Sequence, residues 1–400
     1  MQKELRNILG SILVVILVTM VANSNEAYSA IKYVLYVVEL FLIAIMYVSS
    51  RGYAKKLFQN PLLLICLFII LCGMIVFDNH SNYSNIIKYV GYVVCFGFGK
   101  ALSYKRIQPP RIIILSLILA PLLIVGLADH TLNQSRFFPN SNTFTYWGLC
   151  CSIMYFTLYK DSPKVLLYSF SIVLAYIGVG TSLGIFSAFV LAVLIINRRN
   201  FKLMLGSGVL GLILIGFVFW SDIAVFVRIR NVLEIFRTMT WQDWTHLSEL
   251  NLYDLQQESN VVTGDNMRSD NTSAIWRFAH WSILLKDYFS NITYGLFVGL
   301  GDNYSTYNHS LPPHNDWLRL LIEYGAIVFI SMLKWTRKFC NVISKTKVYY
   351  LFLTVIIYHI TENLIDAFPS NCLMYISAGF WYQICKTSTY QKKNVDGKLI

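Results

Sequence analysis

Runs of apolar residues long enough to approach the thickness of a bilayer follow one another along this chain, and nothing constrains its fold more. A helix rising 1.5 Å per residue needs about 17 to 25 apolar residues to cross a hydrocarbon core of about 30 Å. Twelve segments are read as such spans: 8–21, 31–48, 61–77, 86–101, 112–128, 144–159, 165–179, 183–196, 203–220, 317–335, 348–364 and 372–384. They lack the alternation of a membrane β-strand, so they are expected to be helices. Hydrophobic side chains make up 56% of the 400 residues, charged ones 14%, and mean hydropathy is +0.53. A domain with a fully hydrated surface does not sustain that profile. The expected fold class is an all-α integral membrane protein of about 12 transmembrane helices, with a bilayer as its solvent.

The net charge of +12 raises the question of nucleic acid, and the distribution of charge answers it. Lys and Arg sit in short clusters between apolar runs, with no basic stripe interleaved with aromatics, so no nucleic-acid partner is expected. The clusters Arg51/Lys55/Lys56, Lys105/Arg106, Lys160/Lys164, Arg198/Arg199/Lys202 and Lys334/Arg337/Lys338/Lys345/Lys347 fall on every second connection. Those connections are expected to be cytoplasmic. The turns 23–30, 78–85, 180–182 and 363–371 carry no Lys or Arg and are expected to face outward. Both termini then lie inside, in keeping with Lys392, Lys393 and Lys398 in the tail.

The expected organisation is spans one to nine over 1–220, a large outer loop over 221–313, spans ten to twelve over 314–386 and a cytoplasmic tail over 387–400. The loop holds ten of the 21 acidic residues, and its length sets it apart from ordinary turns as a place for function. Within it, 223–240 carries Arg228, Arg230 and Arg237 at helical spacing among apolar residues, as in a helix lying at the interface. The stretch 256–272 reads as polar and mobile, 273–290 as a helix and 295–301 as a glycine-rich turn. The first run, behind Lys3 and Arg6, has no persuasive cleavage site and reads as an anchor helix. The eight cysteines lie within or beside apolar runs without ligand-type spacing, so neither disulfides nor a zinc site is expected.

Polar residues able to act gather on the outer side. Lys88 opens the fourth span, Asp129 and His130 end the fifth, and Arg136 lies in the following loop. Arg277 and His280 sit on the loop helix, and His314, Arg319 and Glu323 mark the start of the tenth span. His359, Glu362 and Asp366, spaced by three and four, are expected along one face of the eleventh. Ionisable groups at span ends are functional by default, against the plainer readings of snorkelling for Lys88 and an intrahelical pair for Arg319 with Glu323. In the segment 311–319, Pro312 and Pro313 hold the chain extended and Asn315 or Asp316 can cap the next helix. His314 then stands at a corner, where an imidazole can take a proton from a hydroxyl near neutral pH. The plainer reading is an idle, solvent-facing histidine. Arg277 and Trp281 share a helical face, offering a guanidinium that fits phosphate oxygens beside an aromatic platform; an ordinary amphipathic loop helix is the alternative.

At these residues the chain resembles the O-antigen polymerase and O-antigen ligase superfamily of bacterial envelope enzymes. The layout of about twelve spans with a late outer loop is similar. Local carriers are Arg136-Phe137-Phe138-Pro139-Asn140-Ser141-Asn142, Arg277-Phe278-Ala279-His280-Trp281, Tyr294-Gly295 with Gly299-Leu300-Gly301, and His314-Asn315 with Glu323-Tyr324-Gly325. One departure is Thr181-Ser182-Leu183-Gly184, where the family commonly has Ser-Arg; Lys88 or Arg136 is the expected source of the missing charge.

The resemblance implies glycosyl transfer on the periplasmic face of the bacterial inner membrane, from oligosaccharide carried on undecaprenyl pyrophosphate, without metal or other cofactor. An acceptor hydroxyl attacks the anomeric carbon and expels the lipid pyrophosphate with inversion. His314 is the implied base and Arg277 the implied pyrophosphate ligand, with Arg136, Arg319 and Lys88 in support. Trp281, Asn315, Glu323, His359, Glu362 and Asp366 are assigned to substrate binding or to orienting His314. A flippase and a chain-length regulator are the protein partners that such an enzyme would meet. Asp316, Leu318 and Arg319 after the His-Asn pair resemble the polymerase branch, with the ligase as alternative. A transporter of a charged or lipid-linked solute is the rival from another class, and it is disfavoured because the polar residues lie outside rather than at the midplane.

Overall fold

The computed structural model describes residues 2–23, 29–79, 81–103, 109–128, 141–180, 182–198, 237, 240–242, 246–249, 268–309 and 312–396. These residues form α-helices and one 3-10 turn, Leu247–Glu249, without a strand among them. In chain order the helices are α1 (Gln2–Asn23), α2 (Ser29–Ser49), α3 (Arg51–Phe58), α4 (Pro61–Val76), α5 (Ser84–Leu102), α6 (Arg111–Ala128), α7 (Ser141–Leu158), α8 (Val165–Gly180) and α9 (Leu183–Asn197). Within the segment 221–313 come α10 (Arg268–Ser290), α11 (Ile292–Val298) and α12 (Tyr304–His309), and after it α13 (Asp316–Ile343), α14 (Tyr349–Thr361) and α15 (Phe368–Asp396). The all-helical class is as expected. The expected ninth span, most of 223–240 and most of 256–272 lie outside the described residues.

Local chemistry sets the ends. Asn60 accepts the Leu62 amide at 3.0 Å with Pro61 opening α4, and Asn315 accepts the Leu318 amide at 2.9 Å to cap α13. The centre of the bundle is α15, which packs along α5 and α7. Glycine makes the α5–α15 approach possible. A Cβ built on Gly99 would lie 1.9 Å from the Ile376 carbonyl oxygen, and one on Gly379 2.0 Å from that of Phe96. Tyr92 stacks between Phe368 and Tyr375, and the Trp381 indole donates to Thr157 Oγ1 at 3.0 Å. A continuous apolar core results, holding Phe98, Phe144, Trp147, Tyr176 and Phe352.

The outward faces of the same helices are also apolar: Val37, Phe41, Phe68, Ile112, Leu123 and Leu167 are all exposed. Among the described residues no single helix is long and apolar enough to cross a membrane. One pair, Val37–Ser49 with Arg51–Phe58, reaches the length and composition together and is bent by 101°.

Five expectations are corrected. The basic cluster Arg51/Lys55/Lys56 lies on a helix, α3, rather than in a loop. The segment 295–301 is a turn only from Gly299, since Ile292–Val298 is helical, and α10 begins at Arg268, within the stretch read as polar and mobile. The helix expected over 317–335 runs on to Ile343 and breaks at Gly325, whose φ of 82° and ψ of 172° interrupt the ladder. Finally, α14 ends at Thr361, and Glu362 already has extended backbone, so His359, Glu362 and Asp366 do not share a helical face.

Candidate functional site

The break at Gly325 and the turn after α11 are built for each other. Leu300 N donates to the Ile322 carbonyl at 2.7 Å and Gly301 N to that of Glu323 at 3.2 Å. Side chains would prevent this, because a Cβ on Gly299 would lie 2.4 Å from the Glu323 carbonyl. The two glycine motifs far apart in sequence are thus one joint. Beyond it, Asp302 is buried, accepting the Asn82 amide at 2.8 Å, the Asn85 side chain at 3.0 Å and the Tyr324 hydroxyl.

On the other side of the break, the turn leading into α13 is fixed to α10. The Trp281 indole N–H donates to the Pro313 carbonyl, and the Trp276 ring meets the His314 ring edge-on at 5.9 Å. His314 has φ 48°, a left-handed conformation that a non-glycine residue holds at a cost of roughly 1 to 3 kcal/mol. That conformation turns the imidazole toward the end of α14.

The hub is the connection 362–366. Buried Glu362 takes Arg277 Nη2 at 3.3 Å on one oxygen and faces His314 Nδ1 at 3.5 Å with the other. Arg277 and His314 themselves keep 30% and 27% of their side chains exposed, so both can be reached. Leu364 N donates to Asp316 Oδ2 at 2.8 Å, and the same oxygen lies 2.5 Å from His359 Nδ1. His359 Nε2 is 3.3 Å from the Tyr146 hydroxyl, which donates to Asn371 Oδ1 at 2.6 Å. Asn363 and Asp366 hold buried Arg319, at 3.0 and 2.5 Å, and its Nε reaches Glu323 at 2.9 Å. Lys88 lies 3.7 Å from Asp366 and donates to Asn85 Oδ1 at 3.3 Å.

The residues picked from the sequence therefore fall into three neighbouring groups. Arg277, His314 and Glu362 form one, with Trp281 and Asn315 holding the backbone around it. His359 pairs with Asp316, which the sequence offered as a helix cap and as a feature of the polymerase branch but not as a partner for a histidine. Arg319, Glu323, Asp366 and Lys88 form a third, in which the Arg319 guanidinium is spent on three protein partners. Arg136, Asp129, His130 and Thr181 lie outside the described residues. Ser182, in the turn before α9, donates to Asn142 Oδ1 at 2.9 Å. Tyr146, Asn371 and Asp302 were not singled out, and an acid following a Gly-Leu-Gly turn was the available signal for Asp302.

Burial dominates the electrostatics of the loop segment. It pushes the His280 imidazole down to about 3, helped by His309 and His314, so His280 is neutral and its Nε2 lies 3.0 Å from Ser305 Oγ. At Asp366 burial would raise the carboxyl, but the Arg319 and Lys88 cations outweigh it and hold it at about 2. Among the described residues no group of His, Cys, Asp and Glu is arranged to hold a metal ion. Chemically, the Arg277, His314 and Glu362 group combines a proton acceptor, a carboxylate to balance the imidazolium and a guanidinium for an anion. No protein-family model matches the chain, and no curated protein matches it significantly.

Proposed function

We propose that this chain is a multi-pass membrane glycosyltransferase of the bacterial envelope, joining undecaprenyl-pyrophosphate-linked oligosaccharide repeat units on the periplasmic face. The observation that carries the reading is the convergence of Arg277 and His314 on the two oxygens of Glu362. The chemistry needs those partners. His314 takes the proton of the acceptor hydroxyl as its oxygen bonds to the anomeric carbon, and Glu362 balances the imidazolium. The bond from that carbon to the pyrophosphate oxygen breaks with its electron pair, and Arg277 meets the departing charge. Arg319 and Lys88 act at one remove, by holding the 362–366 connection in place. A bilayer setting is supported by the exposed apolar flanks of α2, α4, α6 and α8 and by the alternation of basic connections along the chain.

The test is reconstitution. Purified protein in detergent, given a lipid-linked single repeat unit and no gradient or sealed compartment, is expected to yield lipid-linked multimers. Unchanged starting material would count against polymerisation, whereas transfer of glycan to lipid A core alone would identify a ligase.

A further inference from the structure

A cavity of about 420 Å³ runs between α4, α5, α13, α14 and α15, and its two ends differ in charge. Its walls are apolar through the middle, with Leu63, Ile70, Leu320, Val328, Phe352 and Met374 among them. One end is closed by Asp316 and His359. Among the described residues Asp316 is the only acid in the lining, and its Oδ1 is buried without a hydrogen-bond partner. The opposite end carries Lys100, Lys338 and Lys386. Lys100 lies 6.0 and 5.9 Å from the ring centroids of Tyr53 and Tyr382, which steady it over the mouth. Lys56 and Lys386 both act on Lys100 electrostatically, so like charges are gathered there. Among the described residues none of the three lining lysines forms an ion pair.

Clustered cations beside an apolar slot repel one another until an anion joins them, and the slot calls for hydrocarbon. We infer that this cavity holds an acyl chain of an anionic phospholipid, with the lipid phosphate at Lys100, Lys338 and Lys386. Charge also fixes the direction. A pyrophosphate-bearing donor with its tail in the same slot would have to set its head beside Asp316, a buried carboxylate that repels it. Lys338 belongs to a connection that the charge pattern assigns to the cytoplasmic side, and Lys100 and Lys386 stand at the ends of the fourth and twelfth spans that lead into such segments, so the lipid comes from that leaflet. The inference rests on the reading of the bundle as membrane-embedded.

The experiment uses the full chain, purified in mild detergent, exchanged into nanodiscs of phosphatidylglycerol and phosphatidylcholine in equal amounts, re-extracted and analysed for retained lipid by native mass spectrometry. Retained phosphatidylglycerol is expected to exceed phosphatidylcholine by tenfold or more. The double variant Lys338→Gln/Lys386→Gln, whose lysines are exposed and leave the packing intact, is expected to lose most of that preference. Leu320→Trp, which fills the slot without changing charge, is expected to lower retention of both lipids. Equal retention of the two lipids by the wild type, retention of polyprenyl phosphate instead, or an unchanged preference in the lysine variant would overturn the inference. A chain that stays monodisperse without detergent would instead sink the membrane reading beneath it.

Discussion

Arg277 on α10 and His314 in the turn before α13 meet across a single carboxylate, 3.3 and 3.5 Å from the two oxygens of Glu362. The arrangement has a physical logic at both ends. A carboxylate as buried as Glu362 needs a cationic partner, and removing it leaves Arg277 and the imidazole without their counter-charge.

Glu362→Gln keeps the shape of that side chain and removes its charge. The variant is expected to fold and to lose at least about tenfold in elongation rate, because the imidazolium forming on His314 goes unbalanced. Initial rates on the lipid-linked repeat unit check this. Wild-type rates would assign Glu362 a structural role only.

Arg319 behaves differently. Its guanidinium is enclosed by Glu323, Asn363 and Asp366, so Arg319→Met takes the shared cation away from both carboxyl groups and leaves the Asp366 charge without its nearest partner. Removing one partner of such a pair costs about 3 to 5 kcal/mol. A fall in the detergent-solubilised melting temperature is expected, with a matching loss of active protein at 37 °C. A stable variant that has lost only its affinity for the lipid-linked donor would return Arg319 to the substrate.

His280 supplies a pH signature. Its folded value of about 3 lies below the ordinary histidine value of 6.5, so between those pH values the unfolded chain binds more protons. The stability it contributes is full above pH 6.5 and is lost as pH falls toward 3. Melting temperatures measured from pH 7 to pH 4 are expected to drop more steeply in wild type than in His280→Gln, which keeps a partner for Ser305. Identical slopes would contradict the burial argument.

Much of the architecture was legible in the sequence because apolar runs and caps are local signals. Asn60 with Pro61, and Asn315 after two prolines, begin helices where the pattern says they begin. What escaped was tertiary. Gly325 is an ordinary glycine in an apolar run until the 299–301 turn docks against it, and that docking breaks α13. His314 and Arg277 could be picked out by the chemistry of their residue types and spacing. Glu362 could be picked out as one of several acids for substrate or for orienting His314, but its place opposite both Arg277 and His314 could not, because its spacing from His359 mimics a helix that in fact stops at Thr361. Asp316 looked like a cap, and only the fold brings His359 to it.

The proposed reaction has His314 accept the proton of the attacking hydroxyl. It is tested most directly by analysing lipid-linked and surface glycans in a deletion strain complemented with His314→Ala, at matched membrane levels of the protein. Accumulation of a single repeat unit, with polymer reduced about a hundredfold or more, is the expected result. Polymer of normal amount and length from that strain would remove His314 from the reaction.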